Sequence, residues 1–380
     1  MYRIFQDDDL IYAPNLAGHG YAVTEPILTL EINKPGTLEF TMPPTNKMFD
    51  SIELLTSTIF LFKDDDLIWH GRPVAVRENF WKHRKVTCYG ALDFLRDTMW
   101  QPQSTVGRIV SAYSIVELLV TRHNTMKAAE TARLITLSND QTNTWDTMTG
   151  KRTAYWTDWV DGLTMLQSLL TDFGGYAHVS YNGSGTDIVT STIPGETVDQ
   201  TIEFGKNMLD LDRYIDAGGV YTAVVPLGER YKYSTQYTRR AERPIQVNTA
   251  GVALYGYIEK EFILEGYSAA SDIDAPAAEF LQQGILGATT LDIKAVDLSV
   301  INANLDEFKA GVYVPIKSER HGLDTTVLCS KSVHHLDNPA SNEYEFGSPD
   351  RSYTDQMAKR FLHTGRQINN LDDKIVLSQE

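Results

Sequence analysis

Three adjacent aspartates occur twice in one frame, in FQDDDLIY at 5–12 and in FKDDDLIW at 62–69. A run of carboxylates suggests a site for a hard cation, which oxygen ligands would hold. The calcium loop of an EF-hand needs oxygens at alternate positions, a glycine at the sixth and a glutamate at the twelfth. Counted from Asp7 or Asp64, the fifth position is Ile11 or Ile68, and the template fails. In extended chain, neighbouring carboxylates also face opposite sides and cannot converge on one ion. Aspartate tolerates turn geometry and bonds its own backbone, so each triplet reads as a tight hairpin between strand-like flanks.

Other chemistry-bearing residues fare no better. Adjacent His334 and His335 on a strand face opposite ways, with no carboxylate or cysteine at ligand spacing, so one inward and one exposed histidine is expected. YWTDW at 155–159 could be an aromatic platform for sugars, but at the entry to an amphipathic helix it reads as packing surface. YKYSTQYTRRAERP at 231–244 interleaves tyrosine and arginine and could stack on bases. In an acidic chain it reads instead as a loop or a subunit contact. HExxH, GxSxG and CxxC are absent, and Gly150-Lys151-Arg152 and Gly205-Lys206-Asn207 lack the rest of a phosphate loop. Asp210 and Asp212 are an acidic pair of a common kind. No catalytic, cofactor-binding or metal-ligating residue is named, and no cofactor is expected.

The elements that would position such residues are mostly strands. The 380 residues are 42% hydrophobic and 22% charged, which suits a folded chain of two to four domains. A formal charge of −16 disfavours a nucleic-acid or anionic-membrane binder that works through a basic surface. Cys88 and Cys329 lie far apart without metal spacing and read as two buried free thiols. The N-terminus does not read as a signal peptide, and no apolar run reaches the ~20 residues of a membrane span, so a soluble chain made in a cytoplasm is expected.

Residues 1–97 read as mostly β, with LEFTM at 38–42 alternating and IFLF at 59–62 covered on both faces. Between 100 and 203 the pattern predicts helices at SIVELLV (114–120) and WVDGLTMLQSLLTDF (159–173). Gly174-Gly175 then makes a stop, and a hairpin turns about Asn182-Gly183. Strands resume at TIEFG and YTAVVPLG. A mixed segment follows, with a helix predicted at 275–286 and a strand in TTLDIKAVDL, before β pattern returns over 312–346. The tail at 352–377 is helical in pattern. The β segments at the two ends therefore bracket two mixed inserts.

Four stretches in order resemble the tail-tip hub proteins of phages infecting Gram-positive bacteria, a group labelled prophage tail endopeptidase or tail-associated lysin N-terminal region. They are residues 38–98, with Gly71-Arg72 and the run Cys-x-Gly-x-Leu-x-Phe-Leu from Cys88; 162–179; 201–228; and 308–347, with His-Gly-Leu-Asp and Leu-Asp-Asn-Pro. The resemblance implies an α+β, β-rich fold like the contractile-phage baseplate hub, with two tube-type β-barrel domains and two inserted α+β domains. Carried over, it puts the first tube-type domain at 1–99, an insert at 100–203, and the second, discontinuous tube-type domain at 204–236 and 307–350. A peripheral insert takes 237–306 and a helical extension 351–380. RKVTCYGALDFL and DTTVLCSKSVHHL echo one another, as two related barrels would.

The resemblance further implies a structural protein of the virion and no enzyme, since lytic activity in such proteins belongs to a C-terminal extension that this chain does not show. It implies a homotrimer in a pseudo-sixfold ring. The ring's partners would be a distal tail protein, a tape measure protein and a receptor-binding protein or fibre, with DNA only in transit and no membrane. Two alternatives come from the residues themselves: a peptidoglycan hydrolase built from scattered carboxylates, and a glycan-binding module using Trp156 and Trp159.

Overall fold

Both aspartate triplets close tight β-hairpins in the computed structural model. It describes residues 1–101, 103–104, 112–140, 155–156, 159–173, 175–182, 185–191, 195–215, 219–232, 238–263, 273–274, 277–278, 280–281, 284, 289–300 and 305–346. Strand β1 (Tyr2–Gln6) turns into β2 (Asp9–Tyr12) with Gln6 opposite Asp9. Lys63 is likewise opposite Asp66 where β5 (Ile59–Lys63) turns into β6 (Asp66–Glu78). The first aspartate of each turn takes a left-handed backbone, φ 49° at Asp7 and 56° at Asp64, which aspartate tolerates better than most side chains. Each hairpin also carries the same bulge, at Ile11 in one and Ile68 in the other, so the sequence repeat is a structural repeat. The two hairpins lie side by side through β1 and β5, with Ile4 opposite Leu61.

Strands β3 (Thr24–Glu31), β4 (Thr37–Met42) and β7 (Arg84–Gly90) extend this sheet. The alternation of LEFTM works as read: Leu38, Phe40 and Met42 are buried, as are Val86 and Cys88 on the paired β7. In IFLF, Ile59 and Leu61 reach the core while Phe60 and Phe62 are half-buried on the other face. Together with Ile11 and Trp69 they form one apolar core.

A second core gathers Ile202, Ile293, Phe308, Val314, Ile316, Cys329 and Phe346. Its strands are Met208–Ile215, Thr289–Ala295, Tyr313–Ser318, Leu323–His335 and Glu343–Phe346. Leu323–His335 pairs with β3, Val333 opposite Thr29, so both cores belong to one continuous sheet, thirteen-stranded among the described residues. Leu336, at the end of that strand, is buried in the first core.

A third core is α+β. The 3-10 helix Ala91–Asp97 supplies Leu92, Phe94 and Leu95; α1 (Ala112–Met126) adds Val116 and Leu119; α2 (Gly162–Phe173) adds Leu166 and Leu169. Helix α2 begins at Gly162 because the Asp161 carboxylate accepts from the backbone N–H and hydroxyl of Thr164, at 3.0 and 2.7 Å. The expected hairpin runs Tyr176–Asn182 and Gly185–Ser191, and Ile135–Asn139 adds in parallel.

Two strands sit apart from the segments expected to hold them. Ala223–Lys232, read as part of the second tube-type domain, pairs instead with Thr238–Glu242, Gln246–Val247 and Glu259–Ile263, around a small core of Tyr221, Val224, Ala277 and Leu281. Thr289–Ala295, read as part of the peripheral insert, pairs with Met208–Ile215 and Glu343–Phe346 in the large sheet. Apolar alternation marks a strand but does not name its partner. The helix predicted at 275–286 falls largely outside the described residues, and the tail at 352–377 wholly so.

Candidate functional site: a buried ionic joint and a three-way cleft

Gly71 and Gly90 face one another across β6 and β7, and each is a glycine because of what lies beside it. A Cβ on Gly71 would meet the Tyr89 carbonyl oxygen at 2.0 Å; on Gly90 it would meet that of Pro35 at 2.0 Å and the Trp69 indole at 2.9 Å. Next in line, Arg72 is buried and forks onto two carboxylates: one N–H lies 2.9 Å from Asp93 Oδ2, another 2.8 Å from Asp97 Oδ2. Asp97 also receives Lys127 at 3.1 Å, just beyond the end of α1. Arg72 and Arg133 both lie over the Phe94 ring, at 5.7 and 5.6 Å. Burial pushes the Asp97 carboxyl up, but hydrogen bonds and charge from Arg72 and Lys127 outweigh this and hold it below the usual carboxylate range.

Beside this network His70 Nε2 lies 2.6 Å from Thr186 Oγ1, among the rings of Phe60, Phe94 and Tyr181. Burial lowers its pKa from the ordinary 6.5 to about 4. The residues that carry the Gly-Arg and Cys-x-Gly-x-Leu-x-Phe-Leu resemblance thus have one physical task. They lock the first sheet to the α+β unit through close backbone approach and a desolvated ionic joint.

A cleft of about 700 Å³ opens where the first sheet, the α+β unit and the second core meet. Trp69, Asn33, His178, Tyr181, Lys309 and His334 are among its walls. Asn33 staples one side, accepting from Ala177 N at 2.9 Å while its carbonyl accepts from Gln167 at 3.2 Å. Two carboxylates at the cleft are paired, Glu307 with Lys63 at 2.8 Å and Glu31 with Lys34. His334 is buried and 2.9 Å from the Ser332 hydroxyl, whereas its neighbour His335 is half-buried. The Ser332–His334 contact is buried, and Ser332 Oγ also accepts from Ala310 N at 3.2 Å, so it ties the strand to the neighbouring loop.

The aspartate turns serve the fold in the same way. Asp7 Oδ1 accepts from Thr58 N at 3.2 Å; Asp64 binds the N-terminal ammonium, and Arg3 reaches Asp65 Oδ1 at 2.9 Å. Among the described residues no group of three histidine, cysteine or acidic side chains converges as metal ligands would. In YWTDW, Trp159 is exposed, and Tyr155–Trp156 pairs with Gln103–Ser104. In the tyrosine-arginine stretch Arg243 binds Asp274, while residues 233–237 lie outside the described residues. Lys206 pairs with Glu203, and Asp210 and Asp212 are exposed on one strand. The Arg72 network was missed by sequence reasoning; the signal was Arg72 in a strand with Asp93 and Asp97 in the following turn.

Residues 196–357 match the family described as prophage endopeptidase tail. The chain resembles the phage tail hub family. The fold recurs in a prophage MuSo2 tail protein from Shewanella oneidensis, at 11% identity and a TM-score of 0.59, covering 92% of this chain and 98% of that one. A tail protein from Neisseria meningitidis matches at 10% identity and TM-score 0.58, over 92% and 96% of the two chains. Prophage tail protein gp18 from Listeria monocytogenes matches at 12% and 0.57, over 94% and 97%. At these identities the likeness is one of fold. No curated protein sequence matches.

Proposed function

We propose that this chain is the structural hub at the distal end of a phage, prophage or tailocin tail. The observation that carries the reading is the end-to-end match to prophage tail proteins, which spans more than nine-tenths of both chains in each pair. The family match over 196–357 supports it independently. In this reading the first core and the second core are the two tube-type domains, and three copies make a pseudo-sixfold ring below a distal tail protein. The second domain then comprises 195–215, 289–300 and 305–346, with inserts at 100–191 and 219–284. The tape measure protein and DNA leave through the ring, and an acidic lumen suits DNA that must not adsorb. A receptor-binding protein or fibre attaches beyond it, and the protein resides in the virion.

The hub does no chemistry of its own in this reading, despite the word endopeptidase in the family's description. The Glu307–Lys63 and Glu31–Lys34 pairs and the burial of the Ser332–His334 contact favour a joint over a reaction centre. Cryo-electron microscopy of tails from the producing cells should place the chain's density at the distal end. Tails that are complete without this protein would overturn the reading. Purified chain should leave peptidoglycan intact on a zymogram, and a clear lytic band would favour the hydrolase.

A further inference from the structure

One strand of the α+β unit leaves an edge bare. Its sheet runs Ile135–Asn139, Gly185–Ser191, Tyr176–Asn182, so among the described residues no strand lies on the outer side of Tyr176–Asn182. Ala177 N points to that outer side, where it meets Asn33, and with a period of two the N–H and C=O groups of Val179 and Tyr181 point there as well. A side chain fills the first outward rung. The Asn33 amide accepts from Ala177 N at 2.9 Å and donates to Gly175 O at 3.4 Å, as a neighbouring backbone would. On the next rungs Val179 N and Tyr181 N have no acceptor among the described residues. Every residue from Tyr176 to Tyr181 lines the cleft of about 700 Å³, which a strand does when it presents its edge; a strand presenting one face would contribute only alternate residues.

An unpaired edge is a template for another strand. The cleft supplies the rest of a seat. Its floor is apolar, with Leu30, Leu67 and Ile68 half-buried, and its volume falls within the roughly 300–1,000 Å³ of ligand pockets. At the rim Glu196 and Asp306 are exposed without a cation partner among the described residues, against a single unpaired cation, Lys309. We propose that the cleft takes an extended segment of another protein, added as a strand along Tyr176–Asn182 beyond Asn33. Alternate apolar side chains of that segment rest on the floor, and a lysine or arginine faces Glu196 and Asp306. Main-chain bonds to Val179 and Tyr181 supply affinity, and the alternation supplies preference. The inference goes beyond the hub reading and does not depend on it.

Fluorescence anisotropy of a labelled, alternating lysine–valine heptapeptide, titrated with the full chain, tests it. Wild-type protein should bind the peptide, and the same peptide N-methylated along its backbone should bind about tenfold more weakly or worse, because it cannot pair. Val179→Pro removes one outward N–H and spares the bonds to Gly185–Ser191, a change that edge strands accept, and it should also cost about tenfold. Glu196→Lys should weaken binding of the basic peptide and strengthen that of a glutamate–valine counterpart. Hydrogen exchange needs no variant and decides the matter even if Val179→Pro does not fold: the Val179 and Tyr181 amides should exchange fast in the free chain and slow when peptide is bound. A wild-type chain that ignores the peptide overturns the proposal, as does equal binding of the N-methylated form or of folded Val179→Pro. Amides already protected in the free chain would give the edge to a segment of this chain, and self-association that the peptide blocks would give it to a second copy; either result overturns the proposal too.

Discussion

Arg72 is buried and bridges Asp93 and Asp97, so truncating it leaves Asp93 to Arg96 and Asp97 to Lys127 and Arg133. Breaking such a pair typically costs about 3–5 kcal/mol. Arg72→Ala should lower the urea midpoint accordingly, and Arg72→Lys, which keeps the charge but loses the fork, should fall between the two. His70 makes a pH prediction. Its folded pKa of about 4 lies below the ordinary 6.5, so folding favours the neutral ring. Below pH 6.5 the unfolded chain takes up a proton that the folded chain refuses, and stability falls until pH reaches about 4. The full shift corresponds to about 3 kcal/mol. Burial lowers His123 and His334 as well, so their contributions add with the same sign. Thermal melts between pH 7 and 4.5 should show this decline, and His70→Gln should make it shallower; an unaltered slope would show that His70 is not the buried neutral group described.

At the scale of elements, the duplicated hairpin makes a prediction about backbone conformation. Asp7 and Asp64 both hold φ near +50°, where a β-branched side chain is strained. Asp7→Ile and Asp64→Ile should each destabilise by about 1–2 kcal/mol, while Asn or Gly at either site should be nearly neutral, as denaturant titration would report. Calcium titrated into the wild type should leave the melting midpoint where it is, because Asp7, Asp64 and Asp65 are engaged by Thr58 N, the N-terminus and Arg3 and the remaining carboxylates do not converge on one point. A calcium-dependent rise would return the triplets to the role of ligands. The turns at 7 and 64 were legible because aspartate tolerates the left-handed backbone they need, although both carboxylates bond far along the chain, to Thr58 N and the N-terminus. The shared bulge at Ile11 and Ile68 was not, since a bulge is defined by the strand opposite.

For the whole molecule the decisive feature is the seam between β3 and Leu323–His335. It joins two cores that are distant in sequence, and Leu336 crosses from the strand of one into the core of the other. Leu336→Ala should cost about 2–5 kcal/mol. If the seam couples the units, hydrogen exchange should accelerate at both Leu38 and Val314, one amide in each core. Acceleration at Leu38 alone would mean that the two units open independently despite their common sheet.

The elements were largely readable in the chain. Alternation in LEFTM, helical spacing in SIVELLV and the stop after Phe173 depend on residues within a turn or a pleat of one another, and local sterics and burial decide them. The resemblance to tail-tip hubs could also be read in linear order, and three of its residues have a local reason: a Cβ on Gly71 or Gly90 would meet backbone, and Arg72 is held by two carboxylates. What only the tertiary structure decided was pairing. It sent Ala223–Lys232 to a separate four-stranded sheet and Thr289–Ala295 to the large one, set Arg72 between Asp93 and Asp97, and left Phe80 and Trp81 without cover. Strand partners, desolvated charges and exposed rings are properties of residues far apart in the chain, and a pattern with a period of two or 3.6 carries no information about them.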